Sequence, residues 1–193
     1  DRARRVADAK SGVAAQVVIQ CDGMNVSVIE CLEEIPATEW NALASDGNPF
    51  LWHEFLVALE RHACVGERAG WIPQHLVAHD HGRLVGAAPM YLKDNSYGEF
   101  VFDWAWAEAY ARSGLSYYPK LVVAAPYTPA SGARLLLADG PGQEIVADRL
   151  IEGALEHARR LKVSSLHWLF TTEQDTARLE RHDHMCRTGY QFH

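Results

Sequence analysis

Strand-like runs of apolar residues occur at intervals along this chain. The clearest pair of runs surrounds His81-Gly82, a dipeptide typical of a β-hairpin turn. The continuous apolar run at residues 121–125 predicts a central buried strand, because strands covered on both faces lose the alternation of apolar and polar residues. The predicted strands are residues 25–31, 75–80, 83–92, 121–125 and 164–170.

Segments with helical spacing separate these strands. Pro36 opens the first of them, since proline suits a first helical turn, where its missing N–H is not needed. A helix that begins near residue 102 is predicted to end before Gly114. Residues 145–161 carry the clearest apolar face of any helical segment. The predicted helices are residues 36–45, 50–63, 102–112, 145–161 and 172–181.

The order of these elements predicts an α/β (α+β) domain with a mixed central sheet flanked by helices. Residues 1–23 are polar and Ala-rich, so we expect a loosely ordered leader there and a domain over residues 24–193. The apolar run at 134–139 fits either a strand or a helix. Residues 189–192 begin a further strand, so either this strand closes a sheet edge or the chain is a fragment.

Composition narrows the classes of protein that this chain can belong to. With 193 residues and 48% hydrophobic content, the chain can bury one sizeable core. The net charge of −7 argues against DNA binding, for which a basic surface is expected. There is no run of about 18 apolar residues and no signal peptide, so we expect a cytoplasmic protein without a membrane span. The four cysteines lie far apart with no CxxC pair, a pattern that fits reduced thiols better than a disulfide framework or a zinc site.

Two His-Asp-His triplets are the candidates for metal binding. Alternate residues of a strand share a face, so either His79-Asp80-His81 or His182-Asp183-His184 has a spacing that permits chelation. The first triplet adjoins the hairpin glycine, and the second lies in a polar run rich in arginine. We interpret both as solvated histidines and predict no metal site.

Two loops are candidates for binding an anion. Residues 126–134 follow a predicted buried strand, so their backbone N–H groups and Arg134 are placed to contact a phosphate or carboxylate. Residues 140–143, Gly-Pro-Gly-Gln, directly precede the longest helix, whose N-terminus carries a partial positive charge. Each loop has the alternative interpretation of a simple turn.

The stretch 96–137 combines aromatic residues with two carboxylates. If this stretch is helical from its start, Glu99 and Asp103 are four residues apart and share a face with Trp106 and Tyr110. An acid among aromatic rings tends to have a raised pKa and can act as a general base near neutral pH. The alternative is an acid that caps the helix, with the aromatic rings packed in the core.

Four segments resemble a known family. The strand at 121–126, the turn that ends in Ser131-Gly132 and the run at 134–137 resemble the acyl-CoA loop of the GNAT acetyltransferases. The wider segments resemble the FemAB-like branch of bacterial proteins linked to peptidoglycan biosynthesis or recognition. These wider segments are residues 48–60, 70–114, 117–137 and 164–170.

The resemblance implies a GNAT-like fold, in tandem halves of which this chain is the N-terminal one. It further implies an N-acyltransferase that moves an acetyl or aminoacyl group from acetyl-CoA, another acyl-CoA or aminoacyl-tRNA to a small-molecule or peptide amine, with tRNA only as acyl donor. The implied base is Glu99 or Asp103, and the implied acid is Tyr118 or Tyr127. The implied donor contacts are Lys120, Thr128, Ser131, Gly132 and Arg134. The alternative is a non-catalytic recognition or scaffold half that supports a second GNAT-like domain.

Overall fold

The computed structural model describes residues 17–21, 23–44, 47–101 and 103–189. These residues form nine strands and five α-helices. The strands are β1 (Val17–Cys21), β2 (Met24–Ile29), β3 (Trp71–Pro73), β4 (His75–Asp80), β5 (Arg83–Ala88), β6 (Met90–Lys93), β7 (Lys120–Val123), β8 (Leu136–Leu137) and β9 (Leu166–Trp168). The helices are α1 (Ala37–Leu43), α2 (His53–Arg61), α3 (Trp104–Arg112), α4 (Gln143–Leu161) and α5 (Glu173–Arg181).

The strands form two sheets that share a long bent hairpin. Sheet A has the order β1-β2-β4-β5-β8 and is antiparallel throughout, whereas sheet B has the order β3-β6-β7-β9 with β7 and β9 parallel. Single residues, Gln74 and Pro89, separate β3 from β4 and β5 from β6. Because proline has no N–H for the ladder, the hairpin leaves sheet A at Pro89 and continues into sheet B.

Helices cover both faces of the sheets. On one face, α4 packs its apolar stripe on residues of both sheets, among them Val26, Leu76, Met90 and Val123. On the other face, α1 and α2 cover a second cluster of buried side chains from sheet A and the 29–44 segment. A buried hydrogen bond of 2.8 Å between His157 of α4 and Gln74 fastens the helix at the bend of the hairpin. The predicted mixed α/β architecture is confirmed.

Most predicted elements agree with these bounds, with a few differences. The strand predicted at 83–92 is divided at Pro89 into β5 and β6. The helix predicted at 50–63 begins only at His53, because residues 49–51 form a short 3₁₀ turn that starts at a proline. The ambiguous run at 134–139 contains the two-residue strand β8. Strand β1 lies within the predicted leader and pairs with β2, so sheet A begins before residue 24. The strand predicted at 189–192 lies mostly outside the described residues.

The aromatic helix α3 does not pack in the core. None of its residues is buried, and Trp104 and Trp106 are 52% and 48% exposed. The side chain of Trp104 makes an edge-to-face contact with Tyr97, whose ring is also exposed. The interpretation that placed the aromatic rings of this helix in a core is therefore wrong.

Replacing Asp175 of α5 with alanine should lower the free energy of unfolding by about 2 to 3 kcal/mol, because backbone donors would lose a buried acceptor. The Oδ2 atom of Asp175 accepts hydrogen bonds from the backbone N–H of Arg134 at 2.6 Å and of Leu135 at 3.3 Å, just before β8. Chemical denaturation measures the change. Glu173→Ala, in the same first turn but exposed, is the control and should change stability by no more than about 0.5 kcal/mol.

Candidate active site

Two lysines lie side by side on one face of sheet B. Lys120, the first residue of β7, is opposite Lys93 of β6 in the antiparallel register. Directly opposed residues of neighbouring strands point to the same face. Neither side chain has any exposed surface. Two buried amines therefore require polar or anionic partners close by.

The partners of Lys120 all come from residues 96–103. Its Nζ atom donates hydrogen bonds to Glu99 Oε2 at 2.7 Å and to Asp103 Oδ2 at 2.5 Å. A further bond of 3.0 Å runs to Ser96 Oγ. Because Glu99 and Asp103 are only 2% and 3% exposed, both ion pairs are shielded from solvent. We call Lys120, Lys93, Glu99 and Asp103 the acid–lysine cluster.

The two acids meet through Lys120 and not along a helix. Glu99 lies in a bend before α3, and Asp103 is the N-cap residue of that helix. The Asp103 side chain makes no capping hydrogen bond and points to Lys120 instead. The shared helix face predicted from the four-residue spacing is therefore wrong, and so is the alternative of a capping acid.

Two adjacent tyrosines complete the surroundings of the Lys120 amine. The hydroxyl of Tyr117 donates to Asp103 Oδ2 at 2.7 Å, and the hydroxyl of Tyr118 is 2.7 Å from Ser96 Oγ. The amine lies 5.2 Å and 5.8 Å from the ring centroids of Tyr117 and Tyr118. Both distances fall within the range in which an aromatic ring attracts a cation.

The environment shifts the two carboxyl groups in opposite directions. Burial raises the pKa of Glu99, and the Lys120 charge offsets this only in part. Burial acts on Asp103 as well, but hydrogen bonds from Lys120 and Tyr117 hold the pKa of Asp103 below its usual value. Burial also lowers the pKa of Lys93 to about 7, against the attraction of Glu99. Paired groups with pKa values pushed apart are suited to different roles in proton transfer.

Each carboxylate keeps one oxygen without a hydrogen bond. Among the described residues, Glu99 Oε1 and Asp103 Oδ1 are buried and have no partner. The other oxygen of each group binds Lys120. Because buried polar atoms are nearly always hydrogen-bonded in folded proteins, these two oxygens mark a place for a proton, a water or a polar ligand group.

The cluster extends towards β9 through Tyr117. The Tyr117 hydroxyl is 3.4 Å from His167 Nε2, which in turn is 2.8 Å from Ser165 Oγ. His167 is paired with Val122 of β7 in the parallel register. Burial and the nearby Lys120 charge lower the pKa of His167 to about 4, so its imidazole is neutral at pH 7.

The loop at 126–134 lies apart from the Lys120 amine. The hydroxyl of Tyr127 donates to the carbonyl of Cys64 at 2.8 Å, and its half-exposed ring packs on Gly98. A Cβ atom at Gly98 would lie 2.5 Å from that ring, so only glycine allows this approach. Thr128 donates to the carbonyl of Pro126. Tyr127 thus contacts the segment that carries Glu99 without joining the acid–lysine cluster.

The buried side chain of Arg134 holds the loop at 126–134 through hydrogen bonds to backbone carbonyls. Its guanidinium is fully buried and donates to the carbonyls of Leu169 and Ala130, each at 2.7 Å. Gly132 is buried with its N–H on the carbonyl of Phe170, while Ser131 is exposed. The charged groups of Lys120 and Arg134 are therefore both engaged inside the protein, which argues against direct contact with the phosphates of a donor.

The second anion-loop candidate, residues 140–143, has exposed glycines, whereas Gly132 and Arg134 of the first candidate are buried. Gly140 and Gly142 are exposed and have φ angles of 131° and 98°, which favour glycine. Gly142 is the N-cap residue of the 19-residue helix α4, and the turn follows β8 of sheet A. The first N–H groups of a helix have no intrahelical partner, so this turn presents donors to solvent.

A family model described as FemAB-like, peptidoglycan biosynthesis/recognition, matches residues 31–193. The chain belongs to the FemAB-like family. The fold of this FemAB-like chain is similar to that of ribosomal-protein-alanine N-acetyltransferase from Brucella melitensis biovar Abortus 2308. That similarity has a TM-score of 0.51 at 17% sequence identity and covers 88% of this chain and 96% of the other. No curated protein matches the sequence.

The sequence analysis did not identify four residues of the candidate site in this FemAB-like chain: Lys93, Ser96, Tyr117 and His167. One signal was available for Lys93, since a lysine at the end of an apolar strand run needs a partner when the strand is central. The hydrogen bonds of Tyr117 and His167 bridge residues far apart in sequence, so no local pattern reveals them. Their place follows only from the pairing of β7 with β9.

Neither metal ligation nor a membrane span is found in the described part of the FemAB-like chain. No group of three or more His, Cys, Asp or Glu side chains there is arranged to hold a metal ion. In the second His-Asp-His triplet, His182 instead bonds Asp148 of α4 at 2.8 Å. The helices formed by the described residues include none that is long and apolar enough to cross a membrane.

Proposed function

We propose that this protein is an N-acyltransferase that transfers an acyl group from an acyl-CoA to an amine. The observation that carries the proposal is the buried pair Glu99 and Asp103, with unlike pKa shifts and one unpartnered oxygen each. Family membership and the GNAT-type fold of the structural neighbour support acyl transfer as the chemistry. We expect the reaction to occur in the cytoplasm.

In the proposed reaction, Glu99 is the general base. Its raised pKa brings it closer to neutral pH than an ordinary carboxylate, and a base is most effective when its pKa lies near the working pH. The amine proton moves to Glu99 Oε1 as the amine nitrogen attacks the acyl carbonyl and the C–S bond of the thioester breaks. Asp103 is ionised while the acyl group is transferred, and it fixes the positions of Lys120 and Tyr117. Tyr118 or Tyr127 supplies the proton for the leaving thiolate and takes one back from solvent before the next turnover.

The phosphates of the donor are proposed to bind at the Gly140–Gly142 turn. In the bent hairpin, Gly86 is opposite Leu137, which lies just before the turn, and Lys93 is opposite Lys120 of the acid–lysine cluster. Seven residues therefore separate Gly86 from Lys93, or at most about 23 Å at about 3.3 Å per residue. A donor with a long arm between phosphate and acyl carbon can span a gap of up to this length. CoA has this arm, whereas the ester of an aminoacyl-tRNA lies close to its phosphates. We therefore propose acyl-CoA as the donor.

The proposed acceptor is a primary amine on a peptide. The structural neighbour is by its name an acetyltransferase of a protein alanine, and the family description points to peptidoglycan, whose stem peptides carry free amines. Glu99 and Asp103 suit an amine because they offer unpartnered carboxylate oxygens. A second GNAT-like half of the same protein is proposed to complete the cleft.

One observation favours a second candidate function, a non-catalytic supporting half. Both acids are almost fully buried and tightly paired with Lys120, as in a purely structural ion cluster. Such a domain would bind no donor. Donor binding therefore separates the two candidates.

Acetyl-CoA at about 100 times its Kd should stabilise the protein by about 2.7 kcal/mol, because a ligand that binds only the folded state shifts the unfolding equilibrium. Thermal unfolding with and without acetyl-CoA measures this effect. Gly142→Ala should weaken the stabilisation, since a side chain there strains a positive φ and disturbs the turn. Gly114→Ala, also at positive φ with open space around it, is the matched control.

An acetyl-CoA shift that is unchanged in Gly142→Ala would contradict the proposed phosphate site. No shift with acetyl-CoA, but a shift with aminoacyl-tRNA, would contradict the proposed donor. No shift with either would favour the supporting half.

A further inference from the structure

A chain of hydrogen-bonding groups runs from the buried acids to the side of sheet B. It begins at Asp103 Oδ2, continues through the Tyr117 hydroxyl at 2.7 Å and reaches His167 Nε2 at 3.4 Å. It ends at Ser165 Oγ, 2.8 Å from the same nitrogen. All three steps join side-chain atoms that can donate or accept a proton.

The two ends of this chain differ in their access to solvent. Asp103 is buried, whereas His167 and Ser165 are both half-buried. They lie at and just before β9, the last strand of sheet B in the described part of the protein. The acid end of the chain is therefore shielded from bulk water, whereas the residues at the other end are partly exposed.

We propose that His167 and Tyr117 form the path by which the proton taken from the acceptor amine leaves the acid–lysine cluster. This inference rests on the proposed acyl transfer and names two positioning residues for it. Each turnover places one proton on Glu99, and the next turnover needs Glu99 ionised again. The path returns the cluster to that state.

The transfer balances without any further reactant. The carboxyl group of Glu99 turns so that its protonated oxygen takes the place of Oε2 at Nζ. Glu99 then gives this proton to Lys120 as the ammonium of Lys120 gives one to Asp103, since Nζ contacts both carboxyl groups. Asp103 then gives its proton to the Tyr117 oxygen as the Tyr117 hydroxyl proton moves to His167 Nε2. His167 releases a proton through Ser165 to water. The net result is one proton moved from Glu99 to solvent, with all other groups restored.

The properties of His167 fit this role. Its imidazole is neutral at pH 7, so its Nε2 can accept a proton, and its lowered pKa ensures rapid release. Lys120, Asp103 and Tyr117 are the ionisable groups that face it from β7 and the 96–117 segment. A second branch leads from Lys120 through Ser96 to the half-buried Tyr118.

The first test measures release of CoA thiol from acetyl-CoA with two acceptors, a peptide with a free N-terminal alanine and a stem peptide with a free lysine amine. His167→Ala should lower kcat at least about 10-fold with little change in the KM for acetyl-CoA. Added imidazole should restore the rate of His167→Ala. His167→Gln keeps a hydrogen-bonding amide near Nε2 but carries no exchangeable imidazole proton, so it should be equally slow and should not respond to imidazole.

His184→Ala is the matched control, because His184 is also half-buried with a lowered pKa and contacts Trp168 outside the cluster. A wild-type rate in His167→Gln would overturn the inference and assign His167 a structural role. A wild-type rate in His167→Ala would overturn it as well, whatever the rate of Tyr118→Phe, because Tyr118 is also a candidate acid of the proposed reaction. No thiol release by the wild-type protein would instead contradict the proposed function, and the inference with it.

The second test needs no activity. Tyr117→Phe should change the ¹⁵N chemical shift of His167 Nε2 at pH 7 and leave that of His184 unchanged. An unchanged His167 signal would show that Tyr117 and His167 are not coupled in solution, which would overturn the inference whether or not acyl transfer is found.

Discussion

Replacing Lys120 with methionine should lower the free energy of unfolding by about 3 to 5 kcal/mol, because it leaves two buried carboxyl groups without their cation. The side chains of Lys120, Glu99 and Asp103 are 0%, 1% and 3% exposed, so water cannot take over the role of the amine. For a chain of this length the change corresponds to a fall of roughly 10 °C in Tm. Thermal and chemical denaturation both measure it.

Two further variants test whether this loss of stability comes from the buried ion pairs of Lys120. Lys162→Met, at an exposed position after α4, removes a lysine without a buried partner and should leave the stability nearly unchanged. The triple variant Glu99→Gln, Asp103→Asn, Lys120→Met removes all three charges together and should be more stable than Lys120→Met alone. A triple variant as unstable as the single one, or a loss below about 1 kcal/mol for Lys120→Met, would contradict a buried ion pair at this place.

The sequence predicted those elements whose own residues determine their structure. Helix α4 has an apolar stripe along its 19 residues, and the hairpin between β4 and β5 has His81-Gly82 at its turn, so local periodicity was sufficient. Strand β8 has only two residues, and its pairing with β5 depends on contacts distant in sequence. The bend that divides the strands into two sheets depends on Pro89 in one arm of the hairpin and on Gln74, opposite Met90, in the other, a relation that no single segment contains.

The candidate site was predicted only in part, because its contacts also join residues distant in sequence. Glu99 and Asp103 were predicted as acids among aromatic residues, but the rings next to them in sequence are exposed, and the rings beside the Lys120 amine are Tyr117 and Tyr118. Lys120 was predicted to contact a donor phosphate, yet it binds the two acids. The residues were therefore identified more reliably than their partners, because sheet pairing and not sequence distance decides which side chains meet.

Glu99→Gln should lower kcat for acyl transfer by about 100-fold or more while the protein remains folded, because the variant loses the proposed base but keeps its shape. Gln can still accept a hydrogen bond from Lys120 through its amide oxygen, so the Lys120–Asp103 pair survives. Asp103→Asn should lower kcat as well, and it should also lower the stability because Asp103 Oδ2 serves both Lys120 and Tyr117. Steady-state rates of thiol release, set beside unfolding curves, separate the two effects.

The pH dependence of the rate identifies which acid is the base. Because burial raises the pKa of Glu99 and the bonds to Asp103 hold its pKa low, kcat/KM should be full above the raised value and fall as the pH decreases through it, well before Asp103 is protonated. Glu108→Gln makes the same chemical change on the exposed surface of α3 and should leave both rate and pH profile unaltered. A wild-type rate in Glu99→Gln would exclude Glu99 as the base. So would a wild-type rate that does not fall until the pH reaches the ordinary pKa of a carboxyl group. Either result would leave the acid–lysine cluster a structural role.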